Sequence, residues 1–361
     1  MKLTQLASIA AHPDRVWQVA PHPTLPFLAT ASADKSSKII SLLNFNTLTT
    51  LDGGHKRTVR SVAWKPNTED EPVLATGSFD YNAGIWRQFE DEATEKKDWQ
   101  FLVILEGHES EMKRVAWSAG GSFLATCSRD KSVWVWEEMD DDNFETVAVL
   151  QDHTQDVKCV AWHPEDVLLA SGSYDNNIML YKEGSDDWVC VKVLEGHEST
   201  VWSLEFEPLK SPKYSEERGS RLVSCSDDFT VKIWTRTEQT GLGSGGGQLP
   251  SILRGSQPKE EWECTATLPK AHSRSVYSVS WSKVTGRIVS CGGDGKIVVY
   301  EEAEDNEWKI VAEVGLAHGA YEINCVAWST RYDKDKRGEN DEIIISSCDD
   351  GKVNFWVLDE E

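Results

Sequence analysis

Residues His108 to Trp136 read HESEMKRVAWSAGGSFLATCSRDKSVWVW, and the order of residue types in this stretch recurs seven times along the chain. A histidine opens it, and a tryptophan follows nine residues later at the end of the apolar run Val115-Ala116-Trp117. Leu124-Ala125-Thr126-Cys127-Ser128 then leads into Asp130, and Val133-Trp134-Val135-Trp136 leads away from it. Outward from this copy, the histidine marker recurs as His12, His55, His108, His153, His197, His272 and His318. The aspartate marker recurs as Asp34, Asp80, Asp130, Asp175, Asp228, Asp294 and Asp350. Four of the seven gaps between the two are 22 residues, and insertions lengthen the rest. Six residues past each aspartate stands Ile40, Trp86, Trp136, Tyr181, Trp234, Tyr300 or Trp356.

Each unit holds three short apolar runs and a fourth that leads into the next histidine, as in Phe101-Leu102-Val103-Ile104-Leu105. Short alternating runs separated by turn residues predict strands of a sheet packed on both sides. A period of roughly 40–45 residues with Gly-His and Trp-Asp-like punctuation is the pattern of WD40 blades. The expected fold is therefore all-β, a seven-bladed WD40 β-propeller. His108, Thr126, Asp130 and Trp136 form the expected structural tetrad of blade 3, a buried polar chain that fixes the turn only if every member is satisfied. On this reading the repeated His and Asp residues are architectural, not seven catalytic dyads.

The last repeat stops after its third strand at Val353-Asn354-Phe355-Trp356, while residues 3–9 precede His12 as fourth strands precede the other histidines. The N-terminal strand is thus expected to join the last blade and close the ring, leaving only short edges. One domain, 1–361, is expected. Its blades fall at 13–54, 56–107, 109–152, 154–196, 198–271, 273–317, and 319–361 plus 2–11. Residues 209–220 and 330–342 lengthen loops in blades 5 and 7, and 235–261 form a Gly/Ser-rich insertion expected to be flexible. That insertion lacks the Lys-Ser/Thr ending of a phosphate loop.

A net charge of −23 argues against general nucleic-acid binding, which requires a basic footprint. The acids concentrate between third and fourth strands: Glu137, Glu138, Asp140, Asp141, Asp142 and Glu145 in blade 3; Glu183, Asp186 and Asp187 in blade 4; Glu301, Glu302, Glu304, Asp305 and Glu307 in blade 6. These hairpins are expected to be solvated loops that aid solubility. Of eight cysteines none forms a C-x-x-C pair. Cys127, Cys225 and Cys291 share one repeat position, Cys190 and Cys264 another, so core packing is expected and no metal or cofactor. No apolar run approaches membrane-spanning length, and the N-terminus lacks a signal-peptide pattern, which predicts a soluble intracellular protein.

Two position sets are expected to meet on the face bearing the His and Asp turns. One follows each histidine: Trp17, Arg60, Lys113, Lys158, Trp202, Tyr277 and Asn324. The other precedes each aspartate: Ala33, Phe79, Arg129, Tyr174, Asp227, Gly293 and Asp349. Cations cluster in blades 2 to 4, so Arg129, Arg60, Lys113, Lys158, Phe79, Tyr174 and Trp202 are the candidate partner-binding residues. Arginine flanked by aromatics suits an interface hot spot, and Arg129 suits a carboxylate. The competing reading of Arg129 is an ion pair with a neighbouring blade's acid. There is no G-x-S-x-G, no H-E-x-x-H and no carboxylate pair apart from the markers, so no enzyme is expected.

Several stretches are more specific than the generic repeat: Leu124 to Glu137, His153 to Lys158, Asp186 to Cys190, Leu194 to Ser203, and Ala317 to Asn324 (AHGAYEIN). Together they resemble the WD40 subunit of the cytosolic iron–sulfur protein assembly targeting complex, over all seven blades. The resemblance implies a non-catalytic adaptor, cytoplasmic and nuclear. It would join a small partner subunit and a large helical-repeat subunit, and help deliver clusters to client apoproteins. It also maps the family's top-face arginine onto Arg129. Leu180-Tyr181-Lys182 resembles a short motif proposed to recruit a co-chaperone, but Tyr181 falls on the blade Trp position, where a buried ring is expected. The alternative is a WD40 scaffold of another class, such as a ubiquitin-ligase substrate receptor or a chromatin adaptor.

Overall fold

Blade 3 shows how the repeat becomes structure. Strands Met112–Trp117, Phe123–Ser128, Val133–Glu138 and Phe144–Leu150 pair antiparallel in chain order. In this computed structural model, which describes residues 1–91, 96–139, 143–185, 187–212, 214, 218–237, 260–304 and 306–359, seven such four-stranded sheets are present. Six are built from consecutive strands. The seventh takes its outer strand, Lys2–Ala10, from the N-terminus. That strand runs antiparallel to Lys352–Asp359, with Leu3 opposite Leu358 and Ile9 opposite Val353. The chain is a closed seven-bladed propeller.

Period-two alternation places neighbouring residues of one strand in different interfaces. Leu124 and Trp136 face blade 2, packing with Val73, Ile85 and Leu105. Ala125 and Val135, the next residues along, face blade 4 and its Val157, Val160 and Tyr181. Equivalent clusters fill every joint, including one where Val16 and Leu28 of blade 1 meet Ile345 and Phe355 of blade 7. Burying one such large side chain contributes about 1.5–3 kcal/mol, and each blade shares its core with both neighbours.

The Asp-bearing turns carry strain that the repeat offsets locally. The residue after each marker aspartate has φ between 68° and 80°, yet only Gly295 and Gly351 are glycines; the others are Lys35, Tyr81, Lys131, Asn176 and Phe229. A left-handed non-glycine residue costs roughly 1–2 kcal/mol. In each turn the aspartate Oδ1 accepts the backbone N–H two residues on, as Asp130 does from Ser132 at 2.9 Å. Asp130 Oδ2 also lies 2.7 Å from His108 Nδ1, and His108 Nε2 lies 2.9 Å from Thr126 Oγ1. Trp136 Nε1 donates to the same hydroxyl at 3.0 Å. One proton arrangement satisfies all of these bonds. Nδ1–H donates to the carboxylate, the threonine hydroxyl donates to Nε2, and the indole N–H donates to the hydroxyl.

Three sequence expectations need correction or bounding. Cys127, Cys225 and Cys291 are buried, but Cys190 is half-buried and Cys264 is exposed, because both lie on outer strands. Glu302 is not a solvated hairpin acid. It is buried between Arg218 and Arg221, and Arg221 also binds Glu207 through Nε at 2.6 Å. Residues 238–259 of the Gly-rich insertion, with Asp140, Asp141, Asp142, Asp186 and Asp305, lie outside the described residues. The blade 7 insertion runs from Thr330 to Glu342, and Tyr332 Oη within it donates to the Thr24 carbonyl of blade 1 at 2.9 Å. Among the described residues no helix is long and apolar enough to cross a membrane.

Candidate functional site: the channel mouth

A backbone irregularity repeated in every blade builds the site. The register of the innermost strand slips by one residue at Trp17, Arg60, Lys113, Lys158, Trp202, Tyr277 and Asn324. A bulged residue leaves the ladder and its side chain is re-aimed, here to the mouth of the central channel. The second set is tied to the first through the backbone. Arg129 N–H donates to the Glu111 carbonyl, Phe79 N–H to Thr58, and Tyr174 N–H to Asp156.

The structure brings together most of the candidate residues as cation–aromatic pairs, three of them spanning adjacent blades and Lys158–Tyr174 lying within blade 4. Arg60 lies 4.9 Å over Trp17, and Lys113 lies 4.4 Å over Phe79. Lys158 lies 5.2 Å from both Tyr174 and Trp202. Burial, then the charges of Lys158 and Arg60, pull the Lys113 ammonium down to about 8. Burial, then Arg114, pulls Arg60 down to about 10. Neither forms an ion pair among the described residues, and the cations of this half, Arg60, Lys113, Lys158 and Arg129, outnumber the nearby acids Glu111 and Asp156.

Arg129 stands at the outer edge, 59% exposed, and both readings of it have a basis in the geometry. Its guanidinium is 3.4 Å from Glu111 of its own blade and 4.0 Å from Asp156 of blade 4. Asp156 also holds Lys158 at 3.2 Å. Burial opposes ionisation of Glu111, but the Ser110 hydroxyl, its own backbone N–H, Lys113 and Arg129 hold its carboxyl down to about 2. The arginine is oriented by these acids while most of its surface stays open.

The opposite half, of which only Trp202 and Arg60 were among the candidate residues, is a cup of rings and acids. Trp202 Nε1 donates to Asp227 at 2.6 Å, Tyr277 Oη to Glu322 at 3.1 Å, and Asn324 Nδ2 to Asp349 at 2.9 Å. Burial, then Glu322, pushes the Tyr277 hydroxyl up to about 12. Trp17, Arg60, Trp202, Tyr277, Glu322 and Asn324 help enclose about 210 Å³. That is smaller than the roughly 300–1,000 Å³ of small-molecule pockets and fits a single side chain. Trp17 Nε1 is buried at this mouth without a hydrogen-bond partner among the described residues. Trp17 and Tyr277 share the bulge position of Arg60, Lys113 and Lys158 but lie in blades 1 and 6, outside the blades where the cations cluster. A larger cavity of about 430 Å³ opens near His163 and Arg236, but Arg236 is held by Asp166 and Glu260 at 2.6 and 2.7 Å.

Leu180 and Tyr181 are fully buried, and Lys182 pairs with Glu260, so this motif presents no tyrosine to a partner in the folded ring.

The ring, its repeated turns and a bulge-lined mouth define a WD40 propeller. The family model described as WD domain, G-beta repeat matches residues 3–41, 45–87, 99–137, 144–182, 188–235, 262–301 and 311–357. Three curated relatives carry the name "Probable cytosolic iron-sulfur protein assembly protein 1". The Aspergillus flavus protein is 45% identical over 96% of this chain and 95% of its own length. The Phaeosphaeria nodorum protein is 47% identical over 96% and 93%, and the Botryotinia fuckeliana protein 43% over 100% and 98%. The chain belongs to the cytosolic iron–sulfur protein assembly protein 1 family.

Proposed function

We propose that this protein is a non-catalytic scaffold of cytosolic iron–sulfur protein assembly, working through protein–protein contacts. The observation that carries the reading is likeness at 43–47% identity along essentially the whole chain to relatives bearing that name. In this role it joins a small partner subunit and a large helical-repeat subunit, and presents client apoproteins for cluster delivery in cytoplasm and nucleus. The comparisons give no support to a ubiquitin-ligase receptor or a chromatin adaptor. Arg129, Arg60, Lys113 and Lys158, with Phe79, Tyr174 and Trp202, receive an acidic or carboxylate-terminated client segment. The cations pair with its carboxylates, and the 210 Å³ cup takes one apolar or aromatic side chain.

Affinity purification of the tagged full-length chain, followed by mass spectrometry, tests this. Iron–sulfur assembly subunits and iron–sulfur apoproteins are expected. Recovery of a ligase core or of histones in their place would reject the reading, and turnover surviving clean purification would reject the non-catalytic part.

A further inference from the structure

The seventh turn is built differently from the other six. In blades 1 to 6 the marker histidine Nδ1 lies 2.7 to 3.1 Å from its aspartate. In blade 7 His318 Nδ1 is 3.6 Å from Asp350, beyond hydrogen-bond reach, and is buried without a hydrogen-bond partner among the described residues. Two differences accompany the opening. Two residues before the aspartate stand Ser32, Ser78, Ser128, Ser173, Ser226 and Gly292, but in blade 7 Cys348. The residue after the histidine donates its N–H to the aspartate in blades 2 to 6, whereas Gly319 donates to Leu316. The Asp350 carboxylate instead lies against the Cys348 thiol, with Sγ 2.6 Å from Oδ1, while Cys348 Sγ still accepts the Asp350 backbone N–H at 3.2 Å.

A histidine nitrogen, a cysteine sulfur and a carboxylate oxygen therefore lie within 4.8 Å of one another. His318 and Cys348 are buried, and Asp350 reaches the surface through a side chain 9% exposed. We propose that His318 Nδ1, Cys348 Sγ and Asp350 form a mononuclear site for a borderline divalent transition ion, zinc above all. The donor set fits: imidazole and thiolate select zinc over hard cations, and a carboxylate completes three protein ligands with one position left exchangeable. The ring is already supported from behind. His318 Nε2 lies 2.8 Å from Ser346 Oγ, so donating Nε2–H there leaves the Nδ1 lone pair for the metal. Ligation by Cys348 takes the thiolate form, so metal binding releases the thiol proton to solvent. This departs from the sequence expectation of no metal, which considered thiols alone and assigned every marker histidine to a closed tetrad.

The test uses the full-length chain freed of metal by chelation. Cobalt(II) is expected to bind once per chain with a thiolate charge-transfer band that zinc abolishes, and zinc is expected to raise the melting temperature. Cys348→Ser restores the residue found in five other blades, so it should fold. It should lose the band and weaken zinc beyond the roughly 100-fold that loss of an outer-shell partner costs. Asp350→Asn gives a second reading should Cys348→Ser unfold, and it too should weaken zinc. Cys264→Ser, at the exposed thiol, should change nothing. The proposal fails if wild type gives no stoichiometric band, if the band survives in Cys348→Ser, or if it disappears in Cys264→Ser.

Discussion

Arg129 is held by Glu111 and Asp156 at 3.4 and 4.0 Å while 59% exposed. Exposed pairs of that kind are worth about 0–1 kcal/mol, so a client carboxylate meeting the guanidinium in two-pronged fashion displaces them. Arg129→Glu is expected to weaken binding of an acidic client peptide by roughly 2–5 kcal/mol. Its melting curve should change little, because no core contact is lost. Titration calorimetry against the wild type checks this, and equal affinities would remove Arg129 from the site. Glu342 has a different character. Burial pushes its carboxyl up to about 7, against the pull of Ser282, Lys283 and Arg287. Between 4.5 and about 7 the folded chain therefore holds a proton that the unfolded chain releases. Linkage makes this contribution to stability fall as pH rises through that window, with the loss complete above it. Glu342→Gln is expected to raise the urea midpoint relative to wild type at about pH 8 and much less at about pH 4. A difference independent of pH would show that the carboxyl ionises normally in the fold.

Among the elements, the N-terminal strand has the largest leverage. Lys2–Ala10 supplies the whole outer strand of blade 7, and its Leu3 is buried with Trp356 and Ile344. Deleting residues 1–10 strips that ladder, bares Lys352–Asp359 as an edge, and opens the interlock joining first and last blades. Loss of the buried leucine alone is worth about 2–5 kcal/mol. A melting temperature lowered by many degrees, or loss of cooperative unfolding in circular dichroism, is the expected result. An unchanged transition would mean that the ring does not depend on this closure. The inner strands illustrate a separate rule. Their bulges decide which side chains line the mouth, and the spacing from each histidine shows the repeat of these residues without showing the slip in register that aims them.

At the scale of the whole molecule, charge of −23 coexists with a cluster of cations at one end of the channel. The acidic surroundings repel acidic segments at long range, so attraction is confined to the mouth. Ions screen exposed fields within about 10 Å at 0.1 M salt, and the partly buried Lys113 and Arg60 are screened less. Affinity for an acidic client peptide is expected to fall severalfold between low and high salt, and to level off rather than vanish. Fluorescence anisotropy across a salt series measures this, and an affinity indifferent to salt would assign recognition to the aromatic cup alone.

The ring was legible in the sequence because each blade repeats one local solution. His108, Thr126, Asp130 and Trp136 recur at fixed spacing, and alternation along Leu124 to Ser128 follows from packing on both faces. Closure was legible too, since residues 3–9 carry the pattern of a fourth strand without three before it. The basic-aromatic composition of the mouth could also be read, because position within a repeat maps onto position around a ring. Distances between blades decided the rest. That Arg60 lies over Trp17, that Glu302 is buried between Arg218 and Arg221, and that Trp202 and Tyr277 wall a common cup all depend on side chains far apart in sequence. Even the opened turn at His318, whose Cys348 is visible as a departure from serine, required the fold. A missing hydrogen bond is a matter of tenths of an ångström, which residue spacing does not encode.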